Sequence, residues 1–406
     1  LMMNFNKQFG DFNFNLMLGT STDDTRTWTN YRMAWNFEIP DFYAFDNATN
    51  DNRDFSSSRS QKRLIGTFGE FRADWKNTVF LTVSGRNDWS STLPIENRSY
   101  FYPSVSGSIV FTEFLPKIDW LSFGKVRASW ARVGKDTSPY SLETALWPSQ
   151  SFLGGLTGVS NYWTAGNAAL KPEITESTEL GIELRFFNNR LKLDYAYYTN
   201  NSYNQIMSPR LSNATGYILR SVNAGDVYNK GMELSIGGTP IQTKDWTWES
   251  TINVSGNRGT VKNLLEGVEI LYVTDVQVGN AKAASFPNGN FMAISGSEWK
   301  RDDQGRVVLD KNGLPTKGTN ANLEIGNREP TFSGGWNNTY KGLSLNMLWD
   351  FRVGGHVYNG TEYAMTLAGV SEFSANREKI EVSGVNTNGE FVTNTFEANK
   401  TYTYNG

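Results

Sequence analysis

Apolar and polar residues alternate along much of this chain. Leu343, Leu345, Met347, Trp349 and Phe351 take the odd positions of one segment, while Ser344, Asn346, Asp350 and Arg352 take the even ones; only Leu348 breaks the order. Leu180, Ile182, Leu184 and Phe186 alternate with Glu179, Gly181, Glu183 and Arg185, and Trp246, Trp248, Ile252 and Val254 with Thr247, Glu249, Thr251 and Asn253. A period of two places one set on each face of a β-sheet. One face is apolar and the other carries charge. A half-buried antiparallel strand of a soluble protein reads the same way locally, so the decision rests on how the segments are joined.

Tight turns at Gly10-Asp11, Lys76-Asn77, Asn188-Asn189-Arg190 and Lys341-Gly342, with a slightly longer one at Lys244-Asp245, alternate with long connections at 21–60, 135–172 and 261–329. Short turns at one end and long loops at the other describe an all-β, antiparallel transmembrane β-barrel with periplasmic turns and extracellular loops. The pattern predicts about twelve strands, near residues 1–9, 11–20, 62–75, 78–90, 100–112, 121–134, 173–187, 191–206, 217–237, 246–259, 330–340 and 343–353. Leu180, Ile182, Leu184, Leu345, Met347 and Trp349 are expected on the lipid side, and Glu183, Arg185, Asn346 and Asp350 on the lumen side. Trp75, Trp120, Phe186, Phe187, Trp246 and Tyr340 gather at the tight-turn ends, as an interfacial aromatic girdle would. Residues 361–370 read as a short helix.

Composition agrees. Aromatics make up 14% of the 406 residues and hydrophobics only 38%, low for a globular core. A mean hydropathy of −0.47 does not oppose a membrane location, because a barrel hides its apolar residues at every second position. No apolar run is long enough for a transmembrane helix. The absence of cysteine removes disulfides and thiolate metal sites. A net charge of −3 offers no basic field for nucleic acid. The first residues, Leu1-Met2-Met3-Asn4-Phe5, read as a strand already under way rather than a signal peptide, and the polar stretch 401–406 is no closing strand, so both ends are expected to be cuts in a longer protein.

Several motifs occur together. Asn167-Ala168-Ala169-Leu170-Lys171-Pro172-Glu173, followed by Thr178-Glu179-Leu180-Gly181, resembles a strand of TonB-dependent outer-membrane receptors. Val222-Asn223-Ala224-Gly225-Asp226-Val227-Tyr228-Asn229-Lys230-Gly231-Met232-Glu233 and Ile325-Gly326-Asn327-Arg328-Glu329-Pro330-Thr331-Phe332-Ser333-Gly334-Gly335 narrow the resemblance to the SusC/RagA type of Bacteroidetes, as do Thr82 to Asp88 and Tyr102-Pro103-Ser104-Val105-Ser106. The resemblance covers nearly the whole chain. It implies a barrel of roughly 22 strands plugged by an N-terminal domain, driven by TonB and capped by a SusD-like surface lipoprotein, for import of oligosaccharides or peptides across the outer membrane of a Gram-negative, Bacteroidetes-like cell. Residues 1–406 are then expected to be part of the barrel, with plug and closing strands absent and no closed pore formed alone. The rival reading is a soluble or cell-surface β-protein that binds carbohydrate without transport.

No catalytic site, cofactor site or metal site is expected. His356 is the only histidine and reads as a loop residue, since one imidazole builds neither a multi-histidine zinc site nor a triad. Asp302-Asp303-Gln304-Gly305 and Asp310-Lys311-Asn312-Gly313 lack the spacing of a calcium loop and read as turns. The loops after Arg132, Ile206, Thr260 and Gly354 are expected to form the extracellular mouth. Within the first, Tyr140, Trp147, Tyr162 and Trp163 are the candidates for contact with substrate or lid, because flat rings bury area at low entropic cost; packing of the loop on itself would use the same rings.

Overall fold

The computed structural model describes residues 1–151, 157–273, 279, 281–319, 322–341, 345–375 and 378–397. Twelve strands pair in one antiparallel sheet: β1 (Met2–Phe9), β2 (Phe12–Ala34), β3 (Arg53–Trp75), β4 (Val79–Ser90), β5 (Ser99–Ile109), β6 (Leu121–Lys135), β7 (Glu173–Phe186), β8 (Leu191–Met207), β9 (Val222–Gln242), β10 (Thr247–Leu264), β11 (Phe332–Lys341) and β12 (Leu345–Val353). Their order in the sheet is their order in the chain, the meander of an up-and-down barrel wall. The number of strands and their places along the chain follow the sequence-based expectation, except that β2 and β3 run further than the expected 11–20 and 62–75. Turn geometry explains why. Lys76 and Asn77 both take positive φ (52° and 52°), as a two-residue hairpin turn matched to the sheet twist requires. Gly10 (φ 57°) and Asn188-Asn189 (56° and 67°) meet the same demand. The Lys341-Gly342 turn lies outside the described residues, as does the stretch 401–406.

Within one compact unit (Leu1–Phe114, Val126–Thr178, Ser202–Ala224), register gathers the apolar positions into rows. Phe5, Leu16, Phe71, Val83, Val105 and Trp130 stand side by side across six strands, and all are more than a third exposed. One residue along each strand, Asn6, Asn15, Arg72, Thr82, Ser106 and Ser129 form the matching row of the other face. The second unit (Leu115–Lys125, Glu179–Asn201, Gly225–Gly406) repeats the scheme. Trp349, Trp336, Ile252 and Ile236 form an exposed row, and Asp350, Gly335, Asn253 and Ser235 oppose it. In the same unit Leu180 is 56% exposed, while Arg185 pairs with Glu183 and lies over the Phe123 ring on the charged face. The apolar set is not packed into a core. The buried apolar cluster of the first unit is small, Leu93, Tyr100 and Leu170.

Aromatic pairs stack beside the short turns, with ring centroids 6.1 Å apart for Trp75 and Phe114, 5.9 Å for Trp120 and Phe186, and 5.7 Å for Trp248 and Tyr340. The expected Trp246 closes the neighbouring turn, where its carbonyl oxygen accepts the Thr243 N–H at 2.7 Å.

The 21–60 connection is corrected by the structure. β2 and β3 stay paired from Phe12↔Trp75 to Ala34↔Arg53, and only 35–52 form the loop. Ser21 to Asn30 and Ser56 to Ser60 are polar on both faces, apart from Trp28, so the period-two contrast vanishes while the backbone ladder continues. The other long connections carry their own sheets: a hairpin of Leu146–Ser151 and Thr157–Asn161, and four strands at Leu271–Tyr272, Lys282–Ser285, Ala293–Gly296 and Leu323–Asn327. The expected short helix spans Gly360–Leu367, and the Asn359 side chain accepts the Glu362 N–H at 3.0 Å as its N-cap. No helix among the described residues is long and apolar enough to cross a membrane.

Candidate functional site

The aromatic loop is built on a small hairpin of the first unit. Leu146 pairs with Asn161 and Trp147 with Ser160, and the Trp163 carbonyl accepts N–H bonds from Ile218 and Leu219. This framework brings three of the four candidate rings together. Trp147 meets Tyr162 edge-on at 5.5 Å between centroids and Trp163 at 5.9 Å. Such pairs contribute about 0.5–1.5 kcal/mol beyond area burial. All three remain exposed. Tyr140 stands apart, with positive φ (65°) and its hydroxyl accepting the Gln61 N–H at 3.4 Å. The rings therefore pack on one another and still present a surface.

Beside this loop lies a cleft of about 470 Å³ lined by Lys62, Lys135, Asp136, Glu173, Ser208 and Ser221 among others. Its charges are paired inside it. Asp136 accepts from Lys62 at 2.5 Å, Ser90 at 2.5 Å and Thr92 at 3.2 Å. Glu173 bonds Lys135 at 3.2 Å and accepts the Ile206 N–H at 2.8 Å. Two sequence motifs meet nearby. The Asn223 amide accepts the Lys171 N–H and donates to the Lys171 and Asn204 carbonyls, at 2.8–2.9 Å. Asn167 caps the Ala169 N–H at 3.0 Å, and Leu170 is fully buried. These motif residues hold loop backbones against strand ends.

The third motif does the same work in the second unit. Glu329 accepts from the Asn257 side chain and, at 3.0 Å, from the Gly259 N–H, and Asn327 caps the Glu329 N–H at 3.0 Å. Next to it is a cavity of about 300 Å³ lined by Ala281, Lys282, Ile294, Arg328, His356 and Tyr358 among others. Gly354 and Gly355 turn the chain back there at φ 78° and 83°, where a Cβ on Gly354 would strike Thr331. The reversal sets His356 against the Asn327 backbone, with Nδ1 3.0 Å from the carbonyl oxygen. Arg328 places its Nε in a buried position without a partner. An unmet buried donor costs about 1–3 kcal/mol, and more when charged. Burial also raises the Tyr358 hydroxyl above its ordinary value. Of this cavity the sequence singled out Arg328 only as part of a family motif and His356 only as a loop residue.

The two aspartate loops are turns, as expected. Asp302 accepts the Gln304 and Arg306 N–H groups at 3.0 and 2.9 Å and pairs with the Arg306 guanidinium at 2.6 Å. Asp310 accepts the Asn312 and Leu314 N–H groups at 2.8 and 2.9 Å.

Comparison with known proteins fits this architecture. The family model described as TonB dependent receptor-like, beta-barrel matches residues 3–359. TonB-dependent receptor P3 of Formosa agariphila is 25% identical over 88% of this chain and 39% of its own length. TonB-dependent receptor SusC of Bacteroides thetaiotaomicron is 26% identical over 65% of this chain and 27% of its own. The chain thus spans well under half the length of these curated relatives. Among solved structures, the RagAB peptide transporter shares the fold with a TM-score of 0.69 at 19% identity, over 86% of this chain and 39% of that one. The ordered meander, the two-faced strands and the family match together show that this chain belongs to the TonB-dependent receptor-like β-barrel family.

Proposed function

We propose that these residues form part of the wall and mouth of an outer-membrane importer of the SusC/RagA type. In this reading it takes up oligosaccharide or peptide nutrients, is energised by TonB through a plug lying outside these residues, and is covered by a SusD-like lipoprotein. Transport proceeds by gating, with no covalent chemistry. The observation that carries the reading is the set of exposed apolar rows on one face of the sheet, opposed by polar rows on the other. In water an apolar band of this extent would be covered by a partner or a second sheet. In lipid it is the ordinary outer face of a barrel, and the polar rows then line the lumen. The rival carbohydrate-binding β-protein needs the opposite arrangement, with the apolar face turned into a core. The share of the relatives' length that this chain spans supports reading it as part of a larger barrel. Its two edge strands would need further partners to be stable in lipid.

Trp147, Tyr162 and Trp163, and separately Tyr140, are assigned to contact with substrate or lid, since Trp and Tyr dominate binding energy at such surfaces. Replacing Trp147 and Trp163 with Ala in the full-length transporter is expected to weaken nutrient uptake or lipoprotein co-purification by about 2 kcal/mol or more. Heat-resistant gel migration of the barrel should persist. Unchanged growth on the nutrient together with unchanged co-purification would exclude the loop. Loss of heat-resistant migration would make the rings structural.

A further inference from the structure

We propose that the cavity around Arg328 binds a carboxylate carried on a small apolar group. Arg328 and His356 line one space. Among the described residues no carboxylate answers them. The neighbouring Glu324 is held by the side chain and backbone N–H of Asn290, and Glu329 by Asn257 and Gly259. Lys282 adds its backbone to the wall, and its ammonium lies on the other face of the strand, 4.4 Å over the Tyr272 ring. The buried Nε of Arg328 has no partner. A guanidinium in that state offers a planar fork that a carboxylate fills with two parallel bonds.

The remaining walls select what the carboxylate is attached to. Ala281, Ala283, Ile294 and Val357 are apolar and line the same cavity. A sugar acid would leave its hydroxyls unpaired against them, which costs free energy, whereas an aliphatic chain satisfies them. About 300 Å³ is at the small end of ligand pockets and holds one residue-sized group, not an oligomer. Two sources carry this chemistry: the last residue of a peptide with an apolar side chain, and a free branched fatty acid. His356 is kept in place by the Gly354-Gly355 reversal. The site does not rest on transport, because its test uses detergent-solubilised protein, without TonB or a membrane. A failed uptake assay would leave it standing, and a failed binding assay would leave the import reading standing.

The test is calorimetric titration of the full-length protein in detergent with N-acetyl-L-leucine, its uncharged amide and inorganic phosphate. The acid is expected to bind at least tenfold more tightly than the other two. Arg328→Gln should weaken it tenfold or more, Lys282→Gln, on the other face of its strand, should leave it unchanged, and Arg328→Lys should fall between wild type and Arg328→Gln, since it keeps charge and loses the fork. If Arg328→Gln does not fold, Ala283→Phe, which fills the cavity, should abolish binding with an unchanged melting temperature. Gly-Gly-Leu binding more tightly than 4-methylpentanoate identifies a peptide terminus, and equal binding identifies the free acid. Equal binding of acid and amide, no binding of the acid to folded protein, or phosphate binding as tightly as the acid would overturn the proposal.

Discussion

The cleft around Asp136 and the cavity around Arg328 both hold basic side chains, and among the described residues only the first supplies counter-ions for them. In the cleft, Lys62 has Asp136 and Lys135 has Glu173, and each carboxylate also accepts a further hydroxyl or backbone N–H. Such a set needs no visitor; it ties Lys62 of β3 to the residue that follows β6, and the end of β6 to the start of β7. The cavity holds its basic groups with no acid among the described residues, and one buried donor is unmet. A basic lining is thus not a binding signal by itself. Compensation within the fold decides whether charge serves architecture or a ligand.

The comparison breaks most sharply at Asp136. Its side chain is 9% exposed, so Asp136→Ala strands a lysine and two hydroxyls. Losing one partner of a buried pair costs about 3–5 kcal/mol, and Lys62, one-third exposed, brings the expected loss to about 3 kcal/mol. Denaturant unfolding of the refolded protein measures it. A loss below about 1 kcal/mol, the range of surface pairs, would make the pair incidental.

Arg328→Gln should behave in the opposite way. With no counter-ion to strand, it is expected to leave stability within about 1 kcal/mol of wild type, or raise it, because an unmet buried donor is relieved. A loss as large as that at Asp136 would mean that Arg328 has a structural partner.

These contrasts also mark how far the sequence could be read. The twelve strands were legible because turns such as Lys76-Asn77 and the two-sided alternation punctuate them. The ends of β2 and β3 were not, since Thr, Ser, Asp and Asn on both faces erase the contrast that reveals a strand. Trp147, Tyr162 and Trp163 were legible as a group because they lie close in the chain and one hairpin gathers them. Ala283, Ile294 and Arg328 were not legible as a group, because they come together only through the pairing of Lys282–Ser285, Ala293–Gly296 and Leu323–Asn327. No local pattern reports such a meeting.

The smallest effect concerns the paired aspartate turns. The Arg306 guanidinium, followed by the Arg306 and Gln304 N–H groups, holds Asp302 below its ordinary 3.8, and the Leu314 and Asn312 N–H groups do so for Asp310. A lowered carboxylate value stabilises the fold fully above the unfolded value and loses that stabilisation as pH falls through the folded one. Amide exchange at Arg306 and Leu314, corrected for its intrinsic pH dependence, should therefore stay constant from pH 7 down to about 4 and accelerate below. Acceleration near neutrality would contradict the assignment.

The central claim is that the exposed apolar rows face lipid, and the absence of cysteine from these residues lets a single introduced thiol report on it once any cysteine elsewhere in the full-length protein is replaced by serine. Val83 and Thr82 are neighbours on opposite faces of β4. Val83→Cys and Thr82→Cys, each labelled with the same environment-sensitive fluorophore, would be made in the full-length protein reconstituted into bilayers. The account predicts quenching of the Val83 label by brominated acyl chains and of the Thr82 label by aqueous iodide. The reverse pattern, or iodide quenching of both labels with none by brominated lipid, would contradict it.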